Sequence, residues 1–393
     1  MKLNKINIIT LFFTIFVFLS VFPIEYLKIT YSFYKTFINT SCIISFLIIV
    51  LIFIKNNLFR KIDVCLVMFF LVYIFTTLLN NGDIKNALYT SLSSMTISFY
   101  IEYSLLKNNI VILKYIRLFL LILISINLLT QIIYPNGMYI DSKGFSYYWL
   151  LGQKNLIILY CLPTIIFTVF LDEINNKKSI YTICTFLVSL ISVFISKSAT
   201  SLVIIVFITF SIFIRNIISN IKLFNIKNYV IIYFIFQLLL VNLKLTSVFS
   251  RLFLKLNRDF TLTGRIYIWN RALQLIKEKL LLGWGCVTSI TWYNPQYHVY
   301  TVASHCHNYI LQILFQTGIV GMIIFFALLL STIINLYKCK NNKIINIMSL
   351  ILFGYFIMMI TESFSFILLF YILIFLYNLP IFLKKKGCIN NED

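Results

Sequence analysis

Apolar runs of about twenty residues follow one another along almost the whole chain, separated by short polar segments. Coiled as a helix, a run of that length crosses a hydrocarbon core about 30 Å thick. Lipid offers the backbone no hydrogen-bond partners, so each run must satisfy its own amides, and a helix does this within one segment. Twelve runs can be marked, at about 6–24, 36–54, 62–79, 86–106, 113–133, 153–171, 179–195, 199–215, 228–246, 309–337, 344–361 and 364–383. The expectation is an all-α polytopic membrane protein with about twelve transmembrane helices, residues 1–393 forming a single integral membrane domain. Composition agrees: 11% of residues are charged, against about a quarter in soluble domains.

The net charge of +21 would point to nucleic acid if it were spread over a soluble surface. Here the basic residues cluster between apolar runs, as in the cytoplasmic loops of membrane proteins, and no nucleic-acid partner is expected. With the N-terminus inside, the inner segments collect 19 of the 33 lysines and arginines, against six across the short outer loops. Both termini are therefore expected in the cytoplasm, with one long outer loop over 245–308. The first residues resemble a signal peptide but lack an A-x-A-like cleavage site, so they read as a retained first span. The eight cysteines show no metal-ligand spacing, and most lie in apolar runs; Cys286 and Cys306 could pair as an outer disulfide. No internal repeat is visible, which counts against an inverted-repeat transporter.

Polar chemistry concentrates in the long loop. It carries all three histidines (His298, His305, His307) and three of the four tryptophans. Residues 251–258 form a basic amphipathic stretch suited to anionic head groups. From Arg265, the spacing of Ile266, Trp269, Leu273, Ile276 and Leu280 predicts an amphipathic helix to 282, lying on the outer bilayer surface. Thr263 can cap it, placing Arg265 in the first turn beside N–H donors, a good diphosphate site. Pairing with Asp259 or with a lipid phosphate is the alternative. Ser304 is a natural cap for the next helix, with His307 at its third position, expected neutral and available as a general base. A zinc site from His298, His305, Cys306 and His307 fits no strong spacing pattern. The run 309–337 is too long for a straight span, and Gln316-Thr317-Gly318 with Gly321 marks the expected break.

Outside the loop, the aromatic segment 134–152 could stack on sugars or form an interfacial belt. Gly152, Lys154 and Asn155 open the sixth span, and Ser196-Lys197-Ser198 makes a tight outer turn. Glu102 lies within the fourth span, either as a functional group or as a partner to a basic residue.

These residues together resemble the O-antigen polymerase and ligase superfamily of bacterial membrane glycosyltransferases, which includes capsular and exopolysaccharide polymerases. The resemblance is carried by Gly264-Arg265 with Trp269, Gly283-Trp284-Gly285, His307-Asn308, Gly318-Ile319-Val320-Gly321, the span entrance at Gly152, Lys154 and Asn155, and the turn at Ser196–Ala199. It covers about 113–340. Lys197 stands where the family usually has arginine, keeping charge but losing bidentate geometry, and Gln316 stands where an acid is common.

The resemblance implies glycosyl transfer on the extracytoplasmic face of the bacterial cytoplasmic membrane. The donor and acceptor would be glycans on polyprenyl diphosphate, with no cofactor and no metal. His307 would be the base and Arg265 the principal diphosphate ligand. Lys197, Lys154, Asn155, Asn308, Arg271 and Trp269 would contact substrate. A flippase and a chain-length regulator of the same pathway would be partners. A ligase moving finished glycan, or a flippase for lipid-linked oligosaccharide, are the alternatives.

Overall fold

The computed structural model describes residues 5–140, 148–213, 225–241, 265–287, 289–294, 299–362 and 367–388. Over the first half of the chain it is helical: α1 (Lys5–Val21), the short α2 (Glu25–Thr30), α3 (Ser32–Lys55), α4 (Lys61–Leu79), α5 (Ile84–Leu106), α6 (Ile110–Ile133) and α7 (Ile158–Ile174). Then come α8 (Ile180–Ile195), α9 (Ala199–Phe213), α10 (Ile226–Val241), α11 (Arg265–Glu278), α12 (Tyr309–Lys338), α13 (Lys343–Thr361) and α14 (Ile367–Lys385). Every apolar run of the sequence carries a helix. Among the described residues, five helices are long and apolar enough by themselves to cross a membrane: α3, α4, α6, α12 and α13.

The helices are built inside out relative to those of a water-soluble protein. On α3, Ile43, Leu47, Leu51 and Ile54 form an exposed apolar stripe, while Ser41 and Ser45 are buried. Such a surface suits lipid rather than water. Helix α5 buries Ser91, Ser93, Ser94, Thr96, Ser98 and Ser104. Small side chains allow close helix approach, and Ser91, Ser93, Thr96 and Ser98 return their hydroxyls to carbonyls one turn back. Glu102 lies in this interior beside Asp63, Asn378 and Arg60, and Arg60 in turn donates to Asn378. Asp63 and Thr77 are fourteen residues apart on α4, about 21 Å at 1.5 Å per residue. Glu102 therefore belongs to the end of α4 remote from Thr77, where the loop chemistry gathers, and its surroundings fit the structural alternative.

The break expected in the run 309–337 is present. Gly318 takes φ 61° and ψ −162° inside α12, which frees four backbone groups from the helical ladder. The segment 280–285 takes all four. Trp284 and Gly285 donate to the carbonyls of Phe315 and Gln316, at 2.7 and 2.9 Å. Ile319 and Val320 donate to Leu280 and Leu281, at 2.9 and 3.2 Å. The same segment is pinned to the end of α4, where the Cys286 amide donates to Thr77 Oγ1 at 2.9 Å and Asn80 donates to the Gly283 carbonyl at 3.1 Å. The Gly-x-Gly and Gly-x-x-Gly patterns are thus two halves of one backbone joint.

Three expectations need correction. First, the loop is not wholly helical. Residues Ile290–Asn294 and Val299–Ala303 form an antiparallel hairpin, β3 and β4, and Tyr148–Trp149 with Gly152–Gln153 form a minimal one, β1 and β2. Second, α11 ends at Glu278, and its apolar face packs on protein rather than on the bilayer: Trp269, Ala272 and Ile276 join Ile290, Cys306, Leu311 and Phe315 in one buried cluster. Third, Cys286 and Cys306 are both free and buried, so no disulfide joins them. The stretch 251–258, the cap at Thr263, Gly264 and His298 lie outside the described residues.

Candidate active site

Arg265, His307 and Glu362 come together from three different elements. Arg265 opens α11, His307 precedes α12, and Glu362 caps the C-terminus of α13. Arg265 binds Glu362 Oε1 at 2.5 Å, and His307 Nδ1 lies 3.4 Å from Glu362 Oε2. A cation at the start of α11 opposes that helix's dipole, but the same cation beside the C-terminus of α13 is favourable. Exposure within the cluster is uneven: the side chain of Glu362 is 3% exposed, against 26% for His307.

Glu362 was not apparent among the sequence candidates. Burial alone would push its carboxyl up, but the hydrogen bond from His307 and the charge of Arg265 outweigh burial and hold it below its ordinary value. It is therefore a carboxylate at neutral pH. A carboxylate only accepts, so Nδ1 of His307 carries the hydrogen in this contact, and in the neutral imidazole Nε2 is then the basic nitrogen. This is the arrangement in which an acid orients an imidazole base.

His307 lies four positions earlier relative to its helix than expected, just before the cap instead of in the first turn. Asn308, not Ser304, is the N-cap of α12, its side chain accepting from the Leu311 amide at 3.1 Å. His307 has φ 50°. The described non-glycine residues with positive φ are four asparagines, which tolerate that region, plus Lys197 and His307. Backbone held in this region clusters at functional sites, and here it falls on His307 and Lys197, to which the resemblance gives the base and a substrate-contacting role. His305 packs against His307 with the rings tilted by 57° and their centroids 4.0 Å apart, and its Nδ1 accepts from the His307 amide at 3.3 Å. Burial first, and the neighbouring His307 second, push its pKa down to about 3. His305 is thus a neutral acceptor that positions its neighbour's backbone.

The remaining candidates divide. Asn155 accepts from Ser198 at 2.9 Å, which joins the Lys154-Asn155 entrance of α7 to the turn holding Lys197. Asn308 is fully buried and occupied: it exchanges hydrogen bonds with Gln237 of α10 at 2.8 and 3.1 Å and donates to the Ile360 carbonyl at 3.0 Å. It clamps α10, α12 and α13 around the site, and its expected contact with substrate gives way to that structural role. Trp269 is 1% exposed within the cluster beneath α11, so it packs and offers no face to a sugar. Arg271 lies on a different stripe of α11, with its guanidinium 3.2 Å from Gln274 Oε1. Among the described residues, no group of His, Cys, Asp and Glu forms a metal site.

Residues 184–326 match the protein-family model described as O-antigen ligase. The match supports the O-antigen polymerase and ligase superfamily. Within the matched region of this superfamily lie Lys197, Arg265, His307 and both halves of the glycine joint, whereas Glu362 and the Lys154-Asn155 entrance fall outside it. Comparison with curated proteins and with solved structures gives no match.

Proposed function

We propose that this protein polymerises oligosaccharide repeat units carried on polyprenyl diphosphate, at the extracytoplasmic face of a bacterial cytoplasmic membrane. The observation that carries the glycosyl-transfer reading is the His307–Glu362–Arg265 cluster, which puts an oriented imidazole next to a guanidinium. His307 Nε2 takes the proton of an acceptor sugar hydroxyl. That oxygen forms a bond to C1 of the donor sugar as the C1–O bond to diphosphate breaks. The polyprenyl diphosphate leaves with the electron pair, and Glu362 stabilises the imidazolium until the proton is released. A guanidinium has five donors, so Arg265 can hold Glu362 and still reach phosphate oxygens, with Lys197 and Lys154 as supporting cations.

Because these side chains neutralise the leaving group, elongation by the purified protein on its lipid-linked repeat unit is expected to persist in EDTA. Loss of activity on chelation, restored by Mg²⁺, would replace the cationic side chains with a bound metal. A ligase is the second reading, since the matched family model, described as O-antigen ligase, does not separate the two; it would use the same three residues with a different acceptor.

This reading requires twelve alternating spans with both termini in the cytoplasm. In support, α10 and α13 run parallel: Tyr229 stacks on Phe353, Tyr233 stacks on Phe356, and Gln237 meets Ile360 through Asn308. Cys388 is exposed whereas Cys286 and Cys339 are buried, so Cys388 is the informative thiol. It is expected to resist a membrane-impermeant maleimide in intact cells and to react after permeabilisation. Labelling in intact cells would put the C-terminus outside and reverse the orientation.

A further inference from the structure

The long loop contains a cleft that the reaction above does not use. On α11, Tyr267, Asn270, Arg271 and Gln274 recur at spacings of three and four, so they form one stripe, turned away from the buried face at Trp269, Ala272 and Ile276. Across an open cleft of about 470 Å³ this stripe meets the hairpin, where Tyr293 and Tyr300 complete the lining. The two tyrosines are direct cross-strand partners with ring centroids 5.3 Å apart. They are 45% and 76% exposed, large aromatic surfaces left open on a short extramembrane hairpin. Trp292 stacks on Tyr267 at 5.9 Å with an interplanar angle of 11°, which fixes the corner where helix and hairpin join.

The lining combines the two things a pyranose ring requires. Tyrosine faces accept its apolar C–H side. The amides of Asn270 and Gln274, each both donor and acceptor, with the donor-only Arg271, can meet a pattern of hydroxyls and a carboxylate or ring oxygen. A lipid tail would need an apolar lining, and a phosphate group alone would have no use for four aromatic rings. The volume falls in the ordinary range of ligand clefts, roughly 300–1,000 Å³. Arg271 is six residues beyond Arg265 on the same helix, about 9 Å at 1.5 Å per residue, which is the reach of the first sugars beyond the diphosphate.

We infer that the cleft between α11 and the β3–β4 hairpin is a glycan subsite that binds sugars of the lipid-linked substrate next to the reacting bond. The inference rests on the glycosyl-transfer reading for the identity of the ligand, and on the cleft itself for its place. The probe is the repeat-unit oligosaccharide released by mild acid from the lipid-linked pool of the producing cells, titrated into full-length protein in detergent. Tyr293→Ala with Tyr300→Ala, and separately Arg271→Ala, are expected to weaken its binding about tenfold or more. His307→Ala and Tyr293→Phe are expected to leave it unchanged, the latter because it keeps the ring.

In elongation assays the same alanine variants are expected to raise KM with kcat held. Absence of oligosaccharide binding to the wild-type protein would overturn the subsite. So would equal binding by the alanine variants in protein that remains monodisperse. Elongation with unaltered KM in those variants would remove the subsite and keep the polymerase, whereas cleft-dependent binding without elongation would keep the subsite and remove the polymerase.

Discussion

Glu362→Gln is expected to slow elongation by about a hundredfold or more, the low end of what a positioned general base contributes, and His307→Ala to slow it at least as much. The isosteric amide keeps the shape of the buried side chain but removes the charge that Arg265 and His307 share. An amide oxygen still accepts, so the loss reflects imidazolium stabilisation and ring orientation rather than packing. Truncating Glu362 to alanine is a poorer test, because it leaves Arg265 partly buried without its partner, a change that destabilises strongly. Arg265→Lys keeps charge and loses the planar fork, and little activity should survive. His305→Ala should be milder, since His305 acts on His307 through that residue's backbone amide. Elongation rate is the readout, with membrane abundance as the control. Full activity of Glu362→Gln would reduce that carboxylate to a structural partner of Arg265, and full activity of His307→Ala would remove the base.

The second large effect lies in the glycine joint. A Cβ on Gly285 would sit 2.4 Å from Thr77 Cα, and one on Gly318 would sit 2.3 Å from the Leu281 carbonyl oxygen. Both contacts are with backbone, so no side chain can swing aside. Both glycines also have positive φ, 71° and 61°, which costs an L-residue about 1–3 kcal/mol before any clash. Overpacking adds about 1–3 kcal/mol. Gly285→Ala and Gly318→Ala should therefore each reduce the folded protein recovered from membranes several-fold. Gly387 provides the control: φ is 70° there too, but nothing lies within 4 Å of its Cβ position, so Gly387→Ala should be recovered at nearly the normal yield. Normal recovery of monodisperse Gly318→Ala would mean that the joint between 280–285 and 315–320 is looser than its hydrogen bonds indicate.

The helices were legible because bilayer thickness and backbone hydrogen bonding leave an apolar run of twenty residues little other choice. The break at Gly318 was legible because the run was too long and its glycine stood in the right place. The hairpin was overlooked although its signal exists. Ile290, Thr291, Trp292 and Tyr293 alternate between buried and exposed, β-branched and aromatic residues fill both strands, and Pro295 follows the first.

Glu362 escaped for a different reason. Orientation is read from basic residues, so a lone acid between two spans attracts no attention, and its meaning depends on Arg265 lying 97 positions away in sequence. In a chain with only 12 acidic residues, an acid in so short a turn between two apolar runs is nevertheless a signal. Trp269 and Asn308 show the converse. Their positions marked the site, but their burial makes them its supports.

The central claim is that lipid-linked units are joined after export, and the direct measurement is the length and sidedness of the glycan left on the polyprenyl carrier when the gene is inactivated. The account predicts single repeat units facing outward, with no long chains. Long chains still attached to the lipid would show a ligase acting after polymerisation, and single units trapped on the cytoplasmic face would show a flippase acting before it. Either result would contradict the polymerase.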